Sequence, residues 1–164
     1  MTERSIPGRL LGLDHGLARI GVALSDTTGL VAKELAIIER KSKREDFEKI
    51  NRLAAQQQVI AFVIGLPTDL DAPEDKFTQA DKVRNWVQAF AVTTTLPIIL
   101  WDEHMTTVDA SEIARRQGRK LRDHVDDLAA RVMLQSYLDA VRDGLAEPPD
   151  QPHPPAPSPE GQGE

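Results

Sequence analysis

The strongest constraint on the fold comes from residues 10–26, where an apolar run ends in an aspartate and is followed at once by a turn and a second strand. The run reaches Asp14, and Gly16 gives the backbone the freedom that a tight turn requires. Apolar side chains then alternate from Ile20 to Leu24, as in a strand with one buried face. The pattern predicts a β-hairpin with Asp14 at the end of a core strand. Asp14 could bind a ligand there, or it could only bond the turn amides.

The rest of the chain alternates between strand and helix signals. Ser42 with Glu45 three residues later is a capping box, which predicts a helix to about residue 57. Apolar residues recur at helical spacing over residues 77–91, and Asp123 with Asp126 predicts a last helix that ends at Gly144. Further strands are predicted over residues 31–38, 59–64 and 97–101, and a further helix from Thr106 or Thr107 to Gly118. This order predicts an α/β fold with a mixed central β-sheet, antiparallel over its first three strands and then parallel, flanked by helices.

Composition narrows the possible classes. The chain has 164 residues and no cysteine, which excludes disulfides, thiolate zinc sites and cysteine nucleophiles. No apolar run approaches the length of a membrane span, so we expect a cytoplasmic protein with no membrane partner. Residues 1–144 are predicted to form one domain. Residues 145–164 are predicted to be a disordered tail, because seven of the eleven prolines occur from Glu147 onward, where no apolar partners are available to order the chain.

Net charge does not exclude a polyanionic partner. The formal charge is −6, but residues 145–164 contain four carboxylates and no Lys or Arg, which leaves −2 for residues 1–144. Basic residues cluster at positions 40–44 and 115–122, and such clusters matter more for phosphate contact than the total charge. Each cluster could equally be a solvated helix end or loop.

Carboxylates recur where predicted strands end and where the last helix begins. Asp14 ends the first strand, Asp102 and Glu103 end the last strand, and Asp126 lies in the first turn of the final helix. Strand ends and a helix start at one edge of an α/β sheet converge on a crevice. Carboxylates gathered there suit Mg²⁺ or Mn²⁺, and a pair of such ions supports phosphodiester hydrolysis. Side chains alternate along a strand, so only one of Asp102 and Glu103 can enter this site.

These residues resemble the YqgF/RuvX family of RNase H-like nucleases, which is related to the Holliday-junction resolvase RuvC. The resemblance spans roughly residues 9–140. Its motifs are D-x-G-x-x-R-I-G-V-A-x-S-D at residues 14–26, V-x-G-L-P at 63–67, D-E-x-x-T-T at 102–107 and V-D-x-x-A-A-x-x-x-L-Q at 125–135. Ala18 stands where the family often has a basic residue, and His104 where an arginine usually follows Asp-Glu. Both changes remove positive charge.

The resemblance implies an RNase H-like fold and carries site residues over to this chain. The implied catalytic residues are Asp14, Glu103 and Asp126, which would also hold the metal, with Asp102 as the alternative to Glu103. The implied substrate contacts are Arg19, Arg84, Arg119 and Lys120. Arg19 could equally lock the hairpin. His15 and His104 flank the acidic positions, and His15 is interpreted as a turn or surface histidine.

Several functions remain open at this stage. The resemblance implies a nuclease that processes the 5′ end of pre-16S rRNA, or a resolvase of four-way DNA junctions. The expected cofactor is a pair of Mg²⁺ or Mn²⁺ ions. The partner is then structured RNA or branched DNA, bound by a monomer or a homodimer. A non-catalytic nucleic-acid module is a weaker alternative. An actin-like ATPase also begins with D-x-G, but this chain is too short for its two lobes.

Overall fold

The computed structural model describes residues 6–67, 77–102 and 125–150, with side chains from residue 128 onward in the last range. Strands β1 (Arg9–His15), β2 (Arg19–Ser25) and β3 (Ala32–Glu39) are followed by helix α1 (Lys43–Gln57) and strand β4 (Val59–Leu66). Helix α2 (Gln79–Ala91), strand β5 (Ile98–Asp102) and helix α3 (Val125–Arg142) complete the described elements. The five strands form one sheet in the order β3-β2-β1-β4-β5.

The sheet is mixed, as the sequence predicts. Strand β1 lies at its centre, antiparallel to β2 and parallel to β4, while β3 pairs antiparallel with β2 and β5 pairs parallel with β4. A hairpin joins β1 to β2, where the Gly16 N–H donates to the Arg19 carbonyl at 2.8 Å. A Cβ on Gly16 would lie 2.7 Å from that carbonyl oxygen, so only glycine fits this turn.

Each face of the sheet is covered by its own core. Leu11, Leu13 and Ile20 face α1 and α2, where Phe47 and Trp86 are among the buried partners. The other face carries Leu10, Ala23 and Val63, packed against Leu134 and Tyr137 of α3. Alternate side chains of one buried strand therefore supply two separate cores, because successive residues point to opposite faces.

Helix boundaries follow the predicted caps with one exception. The Ser42 hydroxyl accepts the Glu45 N–H and begins α1, as expected from the capping box. Helix α2 begins later than its apolar spacing predicts, because Thr78 and Asp81 form a reciprocal capping box there. Phe77 therefore precedes the helix and is 61% exposed. The helix predicted over residues 106–118 lies outside the described residues.

The ordered chain continues beyond the predicted domain boundary at residue 144. Gly144 ends the last helix with a positive φ of 78°, as its predicted role requires. The chain then folds back, and the Tyr137 hydroxyl donates to the Glu147 carbonyl at 2.6 Å while Pro149 is buried. Residues 145–150, which the sequence analysis assigned to the tail, are therefore held by Tyr137, a partner that local composition does not reveal. Residues 151–164 lie outside the described residues. In the part of the chain that the structure describes, no helix is long and apolar enough to cross a membrane.

Candidate active site

Asp14 lies at the carboxyl end of the central strand and is partly buried. It shares a sheet face with Leu10 and Gly12, which is the face covered by α3. Its neighbours across the sheet are glycines: Gly21 is its partner in β2, and Gly65 follows the β4 partner of Leu13. Neither neighbour carries a side chain beside Asp14.

Helix α3 runs antiparallel to β1, which brings its first turn toward Asp14. The Gln135 side-chain oxygen accepts the Ala32 N–H at 2.9 Å, whereas Arg131, one turn earlier, pairs with Glu34 at 3.8 Å. Ala32 lies level with the beginning of β1 and Glu34 lies level with its middle. Moving toward the helix start therefore means moving toward the end of β1.

The packing contact between α3 and β1 gives the same direction. Leu134 lies against Gly12, and a helix rises about 1.5 Å per residue, so the first turn of α3, with the backbone of Asp126, lies beyond Gly12 toward the strand end that carries Asp14. A helix N-terminus also favours negative charge nearby, through its unpaired N–H groups.

Asp102 lies on the other face of the sheet. Strand β5 pairs Ile64 with Leu100 and Leu66 with Asp102, so Asp102 belongs to the face covered by α1 and α2. Its neighbour Trp101 belongs to the Asp14 face, where the indole N–H donates to the Ser136 hydroxyl at 3.2 Å. The structure therefore does not bring Asp102 together with Asp14. Glu103 lies outside the described residues.

The predicted phosphate contacts fall in different places. Arg19 is exposed, begins β2, and shares the parity of Gly21, which is the parity of the Asp14 face. Arg84 lies on α2, across the sheet from α3, and its guanidinium contacts Asp81 at 3.4 Å. The structure brings Arg19 toward Asp14 and does not bring Arg84 there. Arg119 and Lys120 lie outside the described residues.

Only some of the predicted metal ligands belong to the described residues. No group of three His, Asp or Glu side chains capable of holding a metal ion occurs in residues 6–67, 77–102 and 128–150. Glu103 and the side chain of Asp126 lie outside those ranges. The side chain of Asp14 is described, and its carboxylate at a glycine-flanked strand end fits the oxygen ligands that Mg²⁺ and Mn²⁺ prefer.

Sequence reasoning missed two parts of this region. His15 is buried at 9% exposure, and the prediction that it lies in a turn or on the surface was wrong, because it ends β1 and packs on Trp86 with ring centroids 4.8 Å apart. Gly12 was overlooked as the contact that sets the distance of α3, since a Cβ there would lie 3.0 Å from the Leu134 Cβ. A glycine inside an apolar strand was the available signal, because it often marks a close approach. His104 lies outside the described residues.

The fold places the protein in the class of RNase H-like proteins. The solved structure of T. thermophilus RuvC in complex with Holliday junction substrate aligns with 85% of this chain and 99% of that chain, at a TM-score of 0.57 and 14% identity. A second structure of T. thermophilus RuvC aligns over the same shares at a TM-score of 0.51 and 13% identity.

The family can be stated more closely. The family model RuvX, described as Holliday junction resolvase, matches residues 8–140. A relative from Syntrophus aciditrophicus, named "Putative pre-16S rRNA nuclease", is 46% identical over 136 residues, which are 81% of this chain and 89% of the relative. A relative of the same name from Thermoanaerobacter pseudethanolicus is 36% identical over 138 residues, covering 82% of this chain and 98% of the relative. The chain belongs to the RuvX family.

Proposed function

We propose that this protein is a metal-dependent nuclease whose substrate is the 5′ end of pre-16S rRNA, hydrolysed at a phosphodiester bond in the cytoplasm. The observation that carries the proposal is the position of Asp14, a partly buried carboxylate between two glycines at the strand end toward which α3 begins. The names of the two curated relatives support RNA as the substrate.

We propose that a pair of Mg²⁺ or Mn²⁺ ions is held by Asp14, Glu103 and Asp126. The position of Asp102 on the opposite sheet face supports Glu103 as the ligand from this strand end. The ions would supply Lewis-acid stabilisation of the phosphoryl oxygens during in-line displacement. Asp14 itself is held by the central strand, whose neighbours on both sides fix its backbone before any substrate arrives.

Positive side chains are proposed to bind the phosphates on either side of the scissile bond. Arg19 lies on the Asp14 face beside the hairpin turn. The hydrogen bond from the Gly16 N–H to the Arg19 carbonyl fixes the position of the Arg19 backbone. Arg119 and Lys120 are proposed to add further contacts. Arg84 is the weakest of these candidates, because its side chain pairs with Asp81 on the same helix, on the sheet face opposite Asp14.

The test is cleavage of a pre-16S rRNA fragment that contains the 5′ processing site, with Mg²⁺, Mn²⁺ or EDTA. We expect Asp14→Asn and Glu103→Gln each to lower kcat by about 10²–10³-fold, as expected when a metal ligand worth several kcal/mol is lost. Asp102→Asn should retain most of the activity, and Asp143→Asn, an exposed change at the end of α3, is the matched control. Full activity of Asp14→Asn, or cleavage in EDTA, would contradict the proposal.

Resolution of four-way DNA junctions is the second candidate. It is favoured by the description of the matching family model and by the shared fold with RuvC. The same chemistry serves both polymers, because hydrolysis by an activated water does not require the 2′-OH. A four-way junction tested beside the RNA, together with the oligomeric state, separates the candidates. Symmetric junction cleavage requires a homodimer with two sites, whereas RNA trimming requires only a monomer.

A further inference from the structure

A pocket lies on the sheet face opposite Asp14, at the same end of β1. Its volume is about 280 Å³, and its lining includes His15 from β1 and Trp86 from α2. Three cations also line it: Arg40 before α1, Lys43 in the first turn of α1, and Lys82 on α2. Among the described residues no carboxylate lines this pocket. Its charge is therefore suited to an anionic ligand.

The wall of the pocket contains buried nitrogen atoms that lack hydrogen-bond partners within the described structure. These atoms are Nδ1 and Nε2 of His15, Nε1 of Trp86 and Nε of Arg40, and all three residues line the pocket. Trp86 is only 2% exposed and His15 9%. A buried N–H without a partner destabilises a folded protein, so each such group requires an explanation, and a bound anion beside the pocket wall is one.

The three groups are held near the cavity by other contacts. One terminal nitrogen of Arg40 donates to the Gly16 carbonyl at 2.9 Å and to the Leu17 carbonyl at 3.1 Å, which ties the guanidinium to the hairpin. The His15 ring rests on Trp86, and burial together with the Arg40 charge lowers the pKa of His15 to about 4. His15 is thus neutral at pH 7, with one donor and one acceptor nitrogen.

The remaining lining groups indicate the ligand. Phe77 stands beside the pocket with 61% of its surface exposed, and an exposed ring is a platform on which a base can stack. Gln79 and Asn85 contribute side-chain amides, which can both donate to and accept from the edge of a base. Cations for a phosphate, a ring for stacking and amides for a base edge together match a nucleotide. The volume is at the lower end of small-molecule sites, which limits the ligand to about one nucleotide.

We propose that this pocket binds one unpaired nucleotide of the nucleic-acid strand, with its phosphate at Lys43 and Lys82 and its base on Phe77. His15 directly follows Asp14 in β1, so the pocket and the proposed active site lie on opposite faces of the same strand end. A strand that crosses the hairpin can therefore occupy both. The choice of strand rather than free nucleotide rests on the proposed nuclease function.

The test measures binding in EDTA, so that cleavage does not enter. The probes are uridine 5′-monophosphate, an oligouridylate of five nucleotides and inorganic phosphate, titrated by calorimetry with the wild-type protein. Fluorescence of Trp86 is followed in Trp101→Phe, since the chain has only these two tryptophans. We expect the oligonucleotide to change this fluorescence and to bind at least tenfold more tightly than uridine 5′-monophosphate, and phosphate alone to bind more weakly still.

Charge variants decide whether binding occurs in this pocket. Lys43→Gln with Lys82→Gln should weaken oligonucleotide binding at least about tenfold, as expected when two charge-assisted contacts are lost. Lys49→Gln with Arg52→Gln removes the same charge from α1 outside the pocket lining and should leave binding unchanged. Equal loss in both double variants, no binding of any nucleotide probe, or equal affinity for phosphate and oligonucleotide would overturn the proposal. Tighter binding of the free monophosphate would overturn the assignment to a strand.

The outcome is separable from that of the proposed nuclease function. Asp143→Asn, an exposed change at the end of α3 and outside both sites, should bind the oligonucleotide as the wild type does. Oligonucleotide binding without metal-dependent cleavage would support the pocket and contradict the nuclease. Metal-dependent cleavage, together with unaltered oligonucleotide affinity in the Lys43→Gln, Lys82→Gln variant, would support the nuclease and contradict the pocket.

Discussion

Gly12→Ala should reduce stability and activity together, because Gly12 sets the distance between the central strand and α3. The new Cβ would lie 3.0 Å from the Cβ of Leu134, 3.4 Å from its Cγ and 3.3 Å from one Cδ. Carbon atoms pack best at about 3.5–4.0 Å, so the helix must move by about 0.5 Å. Rotation of Leu134 cannot relieve the contact, since its Cβ is fixed to the helix backbone.

The magnitude follows from this displacement. Overpacking of a buried contact costs about 1–3 kcal/mol, which for a chain of this size lowers Tm by about 3–10 °C. The first turn of α3, with Asp126, shifts along with the helix. Because a displacement of about 1 Å can cost about 10²-fold in rate, half of that should lower kcat about tenfold.

Calorimetric unfolding and the rRNA cleavage assay measure the two effects, and Gly8→Ala is the comparison variant. A Cβ on Gly8 would lie 2.9 Å from the Cγ2 of Ile60, so this variant should also lose stability, but its three nearest atoms all belong to Ile60 and none to α3. Gly8→Ala should therefore lower Tm and keep the wild-type kcat. Wild-type Tm and kcat in Gly12→Ala would show that Gly12 does not set the position of α3. An equal loss of kcat in both variants would contradict the specific role of α3.

Three further predictions concern buried polar groups. Ser25→Ala should cost about 1–3 kcal/mol in urea unfolding, because the Leu10 N–H loses the hydroxyl that it contacts at 2.7 Å; a wild-type midpoint would contradict this. Tyr137→Phe should cost about 1 kcal/mol in urea unfolding and speed amide hydrogen exchange at Leu145 and Ala146, which fold back onto the end of α3; wild-type exchange there would show that the bond to the Glu147 carbonyl is dispensable. His15 is held neutral with a pKa of about 4, so acid charges the unfolded chain first, and stability should fall by about 2 kcal/mol from pH 7.5 to pH 5. In His15→Phe most of this pH dependence should disappear, and its persistence would assign it to other groups.

Local pattern was sufficient where an element depends on its own residues. The strands around Asp14 were predictable because apolar alternation and glycine turns act over a few residues, and the Ser42 cap was predictable because its partner lies three residues away. The start of α2 shows the limit. Phe77 fits the helical spacing, but the reciprocal bonds of Thr78 and Asp81 begin the helix after it.

Short-range periodicity along the chain is enough to predict the order of the elements, the mixed sheet and the carboxylates at strand ends. Tertiary structure alone decided which carboxylates share a face. Asp14 and Asp102 both end strands, yet the register through β4 puts them on opposite faces. It also decided that His15 meets Trp86 in a basic pocket, and that α3 points its first turn at Asp14. These contacts join residues far apart in the chain, and only the packing of whole elements fixes such distances.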